Sequence, residues 1–208
     1  MAELFVEILG KPHGFIVFQL LAACRFTIYL SLIAFVGGGA VACLVTLLRI
    51  SNAPSLQKCA TSFIWIFQSV PLLMLLFLIG LGMPRLLDVN VDPWTAATIS
   101  LILFTAAYLA EVWRGAIESV ARGQWEASYA LNIRYSLLLR DIILPQAIKF
   151  GVAPTVGFMV QIIKGTSLAY IIGFNDLMLV GKRWANAPVL GSEPVSYTHL
   201  TLPTSTHV

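Results

Sequence analysis

Three polar side chains interrupt strongly apolar stretches of this sequence and could contact a polar solute there. Gln68 stands three residues before Pro71, and Gln161 and Lys164 are one helical turn apart. Ionisable groups at membrane depth are costly and commonly functional. The ammonium of Lys164 could instead snorkel to the outer interface, and Gln68 could join two helices by a hydrogen bond. Gln68, Gln161 and Lys164 are therefore candidate residues of a solute path.

No other set of residues has the spacing of a catalytic or metal site. The three cysteines, Cys24, Cys43 and Cys59, are widely separated, and no cluster of His, Cys, Asp and Glu has metal-ligand spacing. We interpret the cysteines as small packing residues. The G-x-x-x-x-G-K-[ST] phosphate loop is also missing from the sequence. The pattern therefore disfavours a membrane enzyme and predicts no nucleotide chemistry in this chain.

The composition predicts an all-α integral membrane protein. Hydrophobic residues make up 58% of the 208 residues and charged residues 11%, whereas soluble domains carry about 25% charged residues. This length has room for about five spans of ~20 residues. The net charge of +3 is small and scattered, so nucleic-acid binding is not expected.

Charged residues divide the apolar sequence into four predicted spans. These lie between Arg25 and Arg49, between Lys58 and Arg85, between Asp92 and Glu111, and from about Phe150 to Ala169. Residues 37–39 are three consecutive glycines, which in lipid allow close helix–helix approach. Pro71 predicts a kink or an unwound stretch in the second span.

The distribution of basic residues predicts the orientation. Residues 49–58 and 114–149 carry seven Lys and Arg residues, whereas residues 84–93 carry Arg85 against Asp88 and Asp92. By the positive-inside rule the first two segments are cytoplasmic and the N-terminus is outside.

The longer cytoplasmic segment predicts a short helix, a break and a second helix. Residues 123–132 read Gly-Gln-Trp-Glu-Ala-Ser-Tyr-Ala-Leu-Asn. Asn132 suits a left-handed helix end, and Pro145 suits the first turn of the next helix. Just before this segment, Glu111, Arg114, Glu118 and Arg122 are spaced to form one helical face. That face is either a solvated charge ladder or a gate or dimer contact.

This segment resembles the cytoplasmic loop of ABC-importer permeases, whose motif is Glu-Ala-Ala, three residues, Gly, nine residues, Ile-x-Leu-Pro. Glu126, Ala127 and Ser128 stand for the triplet and Asn132 for the glycine, so two positions depart from the pattern. Ile142, Leu144 and Pro145 complete the motif at its spacing. The resemblance assigns the following residues to an ATPase-coupling loop within about 118–147: Gly123, Gln124, Glu126, Ala127, Ser128, Asn132, Ile142, Leu144 and Pro145.

Three further segments resemble the branch of these permeases that imports polar amino acids. They are Phe-Gln-Ser-Val-Pro-Leu-Leu at 67–73, Tyr-Leu-Ala-Glu-Val-Trp-Arg-Gly at 108–115, and Ile-Lys-Gly-Thr-Ser-Leu-Ala at 163–169. Gly165 departs from the third pattern, where an acidic residue is commoner. The resemblance extends over about residues 20–190.

The resemblance implies the fold and mechanism of an ABC type I importer transmembrane domain, normally with five spans. The chain would be a permease subunit in the bacterial cytoplasmic membrane, carrying a polar amino acid or similar small solute. Its partners would be cytoplasmic ABC ATPase subunits, which bind ATP and Mg, a second permease subunit and an extracytoplasmic solute-binding protein. The alternative is a self-contained channel or secondary transporter, which would favour internal repeats and paired intramembrane charges.

The end of the sequence reads differently from the rest. Residues 195–204, Val-Ser-Tyr-Thr-His-Leu-Thr-Leu-Pro-Thr, match the translation of a transposon adapter used in DNA library preparation. We therefore expect the permease domain to occupy residues 1–194 and residues 195–208 to be a sequencing artefact, with the fifth span missing. A genuine disordered tail is the alternative.

Overall fold

The regular structure is entirely helical within the residues that the computed structural model describes, which are 10, 13–51 and 53–186. Seven helical segments follow one another: α1 (His13–Arg49), α2 (Pro54–Ser69), α3 (Leu72–Leu87), α4 (Pro93–Glu118), α5 (Arg122–Ala130), α6 (Tyr135–Ile172) and α7 (Leu177–Ala185). The predicted all-α membrane fold is confirmed.

Three of these helices, α1, α4 and α6, are each long and apolar enough to cross a membrane. The pair α2 and α3 is bent by 97° at its break. It makes a fourth span only if the two helices together form one broken span. Val70 at the break is extended, as a residue before proline prefers. The predicted break at Pro71 is confirmed, and it is far sharper than a kink.

Two helices are longer than the spans predicted within them. α1 begins at His13, so Arg25 lies inside the helix rather than at its end. At ~1.5 Å per residue this helix is longer than the ~30 Å hydrocarbon core of a bilayer. α6 begins at Tyr135 because a π-helical turn, Leu138–Ile143, joins its first residues to the main α-helix. The predicted artefact at residues 195–208 lies outside the described residues.

α4 is the central helix of the described chain, and 56% of the residues in its most apolar 18-residue stretch are buried. It packs against α1 where the predicted glycines lie. A Cβ atom placed on Gly38 would lie 2.5 Å from Cβ of Thr105, and one placed on Gly37 would lie 2.9 Å from a methyl of Ile102. No side chain larger than hydrogen fits at Gly38 without moving α4, so the predicted close approach is confirmed.

Aromatic rings join α4 to α6 on the other side. The rings of Phe104 and Tyr108 lie 4.5 Å apart, and the ring of Phe158 stacks on Tyr108 at 5.4 Å. Such pairs stabilise beyond the area they bury. The central helix is thus held by close backbone approach on one side and by large rings on the other.

The helices place their connections at two ends of the molecule. At one end, the hydroxyl of Tyr135 donates to the carbonyl oxygen of Ile50 at 2.8 Å, so the α1–α2 and α4–α6 connections meet. At the other end, the rings of Trp94 and Phe174 lie 5.2 Å apart. There α7 packs on the first turns of α1, with the indole of Trp184 donating to Gln19 at 2.8 Å.

Asp176 caps the N-terminus of α7, and only one of its two carboxylate oxygens has a hydrogen-bond partner among the described residues. Its Oδ1 accepts from the backbone N–H of Leu179 at 2.8 Å, while Oδ2 is buried and has no hydrogen-bond partner among the described residues. Burial raises the pKa of Asp176 above its ordinary value. The sequence pattern did not single out this residue.

We expect Gly38→Ala to lower the thermal midpoint of the purified chain. Overpacking costs about 1–3 kcal/mol, which exceeds the gain in helix propensity of up to ~1 kcal/mol. Gly39→Ala is the matched control, because its Cβ would meet nothing closer than Trp113 at 3.8 Å. Equal midpoints for the two variants would contradict the close approach.

We expect Asp176→Asn to stabilise the chain at neutral pH. Because the folded-state pKa of Asp176 is raised, the folded state gains protons relative to the unfolded state, and wild-type stability is lost as pH rises through the folded pKa. Thermal midpoints measured from acidic to neutral pH should diverge as pH rises. Asp176→Ala also loses the helix cap and should cost about 1 kcal/mol. If the thermal midpoints of the wild type and of Asp176→Asn differ by the same amount at every pH, burial of the Asp176 charge does not destabilise the chain.

Candidate functional site

α5 is a separate short helix with the predicted C-terminal geometry. It extends from Arg122 to Ala130, and Asn132, two residues beyond its end, has a left-handed φ of 55°. The N–H of Asn132 donates to the Tyr129 carbonyl at 2.9 Å, and that of Ile133 donates to the Ser128 carbonyl at 3.1 Å. This double closure is a Schellman motif, which sets the direction in which the chain leaves the helix.

One face of α5 packs on the protein. Ser128 is only 2% exposed, and its hydroxyl donates to the carbonyl of Gln124 at 2.6 Å. The indole of Trp125 packs against a small apolar cluster that includes Ile117 and Leu138. This cluster holds α5 on the end of α4 and the start of α6.

The opposite face of α5 is exposed. Gly123, Glu126 and Ala127 lie on it, and the following Leu131 is 74% exposed. An exposed apolar side chain beside a charged helix face is typical of an interaction surface. This exposed face of α5 is the part of the predicted site that a soluble partner could contact.

The second half of the predicted site lies next to α5. Leu144 and Pro145 are exposed at the start of the main α-helix of α6, while Ile142 is half-buried in the cluster beneath α5. The side-chain amide of Gln146 donates to the Ile142 carbonyl at 2.9 Å and to Oε1 of Gln124 at 3.5 Å. The structure therefore brings the two halves of the motif together, with Ser128 and Ile142 packed inward and the other predicted residues exposed.

Tyr135 connects the hairpin formed by α5 and the first turns of α6 to α1, and sequence reasoning missed it. Its hydroxyl bonds the carbonyl of Ile50, just beyond the end of α1, across 85 positions of sequence. The side chain of Gln57 in turn donates to the Ser51 carbonyl at 2.6 Å. Carbonyls at a helix end lack intrahelical partners, so these bonds fix the end of α1.

The predicted charged face contains three residues rather than four. The guanidinium of Arg114 pairs with both Glu111 and Glu118 along α4. Arg122 lies in α5, beyond the end of α4, and so does not continue that face. The arrangement fits a charge ladder that stiffens the last turns of α4.

The three candidate path residues are not joined in the structure. Nε2 of Gln68 donates to the Ala107 carbonyl at 3.3 Å, so its amide links α2 to α4. Gln161 and Lys164 are exposed on one side of α6. Among the described residues no hydrogen bond connects Gln68 with either of them.

Comparison with known proteins decides the family. Residues 34–202 match the family described as "Binding-protein-dependent transport system inner membrane component". The chain belongs to this family. It is therefore an inner-membrane component, the permease subunit of an ABC importer.

Similar proteins include permease proteins of amino-acid ABC transporters. The chain is 32% identical to the probable amino-acid ABC transporter permease protein YckA of Bacillus subtilis, over 86% of this chain and 76% of that protein. It is 32% identical to the probable glutamine ABC transporter permease protein GlnM of the same organism, over 73% of this chain and 70% of that protein.

Solved structures have the same fold. One chain in a crystal structure of an amino acid ABC transporter with histidines is 28% identical in sequence to this one and superposes with a TM-score of 0.75. The match covers 86% of this chain and 79% of that one. The inward-facing MetNI methionine ABC transporter has a TM-score of 0.62 at 19% identity, over 85% of this chain and 83% of that one, and shows the fold alone. The expected type I importer fold is confirmed.

We expect Tyr135→Phe to destabilise the permease by about 1 kcal/mol, because the Ile50 carbonyl loses its hydrogen bond. The measurement is the thermal midpoint in detergent. Tyr129→Phe is the matched control, because Tyr129 is exposed on the same hairpin and no hydrogen bond from its hydroxyl is found in the described part of the chain. If both variants melt alike, the Tyr135 bond does not stabilise the hairpin.

Proposed function

We propose that this permease subunit imports a polar amino acid or similar small solute, driven by ATP hydrolysis in a separate ATPase subunit. Support for the substrate class comes from the names of its relatives and from the segments at 67–73 and 108–115. Because the sequence has no phosphate loop, ATP and Mg would bind the partner. The subunit would work with a second permease subunit and an extracytoplasmic binding protein.

The observation that carries the coupling role is the two-sided character of α5. Its inner face, through Trp125 and Ser128, is fixed to the ends of α4 and α6, and its outer face presents Glu126 and Ala127 to solvent. A helix of this kind can transmit a push because it is rigidly attached on one side and accessible on the other. α5 is accordingly the proposed coupling helix, seated in a groove of the ATPase.

The proposed cycle follows from that attachment. ATP binding would close two ATPase subunits and draw together the coupling helices of two permease subunits. The ends of α4 and α6 would move with α5, and the permease dimer would turn outward. Gln124, Asn132, Leu144 and Pro145 would shape the contact around α5, with Gly123 allowing close approach.

The proposed orientation places this hairpin in the cytoplasm and the N-terminus outside. Arg49, Arg134 and Arg140 lie at the same end of the molecule as α5, as the positive-inside rule requires of cytoplasmic segments. The proposed solute path includes Gln161 and Lys164, whose side chains point away from the core of the subunit. Gln68 lies beside the sharp break at Pro71 and would border that path.

We expect Glu126→Lys to reduce the amount of ATPase that co-purifies with the permease, and amino acid uptake, at least about tenfold. A loss of ~1.4 kcal/mol in the free energy of docking corresponds to this factor. The tagged permease would be purified from its native membrane and the co-purifying ATPase quantified by mass spectrometry. Uptake of labelled amino acids would be measured in the same cells.

Asp141→Lys is the matched control. It makes the same charge change at an exposed carboxylate of the same end of the molecule, outside α5 itself. This variant should keep near wild-type recovery and uptake. Unchanged recovery and uptake in Glu126→Lys would sink the coupling assignment, while loss in both variants would point to a general charge effect.

A further inference from the structure

A cleft of about 440 Å³ lies between the last two turns of α1, the end of α4 and the first half of the main α-helix of α6. Small residues make the space. Ala116 and Gly151 form its floor, where a Cβ placed on Gly151 would lie 3.3 Å from Cβ of Ala116. Leu47, Ile148 and Val152 form its walls and are themselves exposed.

The lining of this cleft suits hydrocarbon and offers almost nothing to a polar solute. Two hydroxyls line it, and both already donate to backbone carbonyls of their own helices, Thr46 to Ala42 at 2.8 Å and Thr155 to Gly151 at 2.7 Å. The indole N–H of Trp113 donates to the Thr155 hydroxyl at 3.1 Å. Burying a polar ligand group there without a partner would be costly.

One positive charge flanks the cleft. Lys149 is exposed and precedes Val152 and Val156, two residues of the lining, by three and seven positions, so it lies on the same side of α6. The α-helix from Leu144 to Thr166 contains no acidic residue. The nearest acid before it, Asp141, already lies 3.7 Å from Arg140. The charge of Lys149 is therefore available to an anion at the membrane surface.

We propose that this cleft binds an acyl chain of an anionic phospholipid, with the ammonium of Lys149 at the headgroup phosphate. The cleft opens sideways at the end of the subunit that carries the basic loops. Basic sites between membrane helices on that side are where anionic headgroups bind. The site would be separate from the solute path, and it shares Leu144 with the proposed ATPase contact.

Tryptophan quenching by brominated lipid tests this site directly, because Trp113 is part of the lining. The full chain with Trp113 as its sole tryptophan, the other four replaced by Phe, would be reconstituted in phosphatidylcholine vesicles. Equal mole fractions of brominated phosphatidylglycerol or brominated phosphatidylcholine would be added. A chain with Trp65 alone is the control, because Trp65 is 76% exposed on α2, away from the cleft.

We expect phosphatidylglycerol to associate at Trp113 about fivefold more strongly than phosphatidylcholine, the factor for one basic residue at an anionic surface. The ratio at Trp65 should be near one. Lys149→Gln should bring the Trp113 ratio down to that of Trp65, and Arg85→Gln, at the other end of the molecule, should leave it unchanged.

Three results would overturn the proposal. Equal quenching of Trp113 by both lipids would mean no headgroup selectivity, as would a ratio that survives Lys149→Gln. Absence of quenching by either lipid would mean that protein covers the cleft, either a second copy or residues beyond 186. Native mass spectrometry of the otherwise unaltered chain gives an independent readout: Lys149→Gln should lose bound phosphatidylglycerol and Arg85→Gln should retain it.

Discussion

The contact between α1 and α4 at Gly38 is the constraint on which the rest of the subunit depends. Lipid gives little hydrophobic driving force between helices, so close packing must hold them together. At Gly38 the two helices are so close that a methyl group would collide with Thr105. α4 is thereby fixed against α1, and α2 and α6 are arranged around it, through the Gln68 amide and the Phe104, Tyr108 and Phe158 rings.

The hairpin that carries α5 uses a different kind of contact. It is attached by a small apolar cluster and by single hydrogen bonds, from Tyr135 to the Ile50 carbonyl and from Gln146 to Oε1 of Gln124. These contacts are local, and they join the ends of three long helices. A π-helical turn, Leu138–Ile143, lies inside the same attachment, and such turns often mark functional positions. A force on α5, as the proposed coupling role requires, would therefore act on α1, α4 and α6 at their ends.

Much of this arrangement could be predicted from the sequence because the signals are local. Three glycines in an apolar helix, Pro71 in a span, and Asn132 after an amphipathic stretch each define a backbone geometry, and the structure has all three features. α1 begins before Arg25, the boundary of the predicted span, and the sequence pattern does not show how far a helix continues past a span. Pro145 lies in the first turn of the main α-helix of α6 as predicted, but the continuation of α6 back to Tyr135 was not predicted, because a π-helical turn leaves no clear periodic pattern.

Contacts between distant residues were the part that the sequence could not reveal. Nothing local to Tyr135 or Ile50 indicates that they bond across 85 positions, and nothing local to Asp176 indicates that one of its oxygens is buried without a partner. Small residues such as Ala116 and Gly151 also read as ordinary packing residues. Only their juxtaposition shows that they leave a cleft.

The cleft and the hairpin share residues, so the proposed lipid site is connected with the proposed coupling helix. Ile50 lines the cleft, and its carbonyl accepts the Tyr135 hydrogen bond. Ile117 and Ala147 belong both to the cleft lining and to the cluster beneath α5. A movement of α5 that shifts these residues must also change the walls of the cleft. By linkage, an occupant that prefers one shape of the cleft must bias the position of α5 by the same free energy.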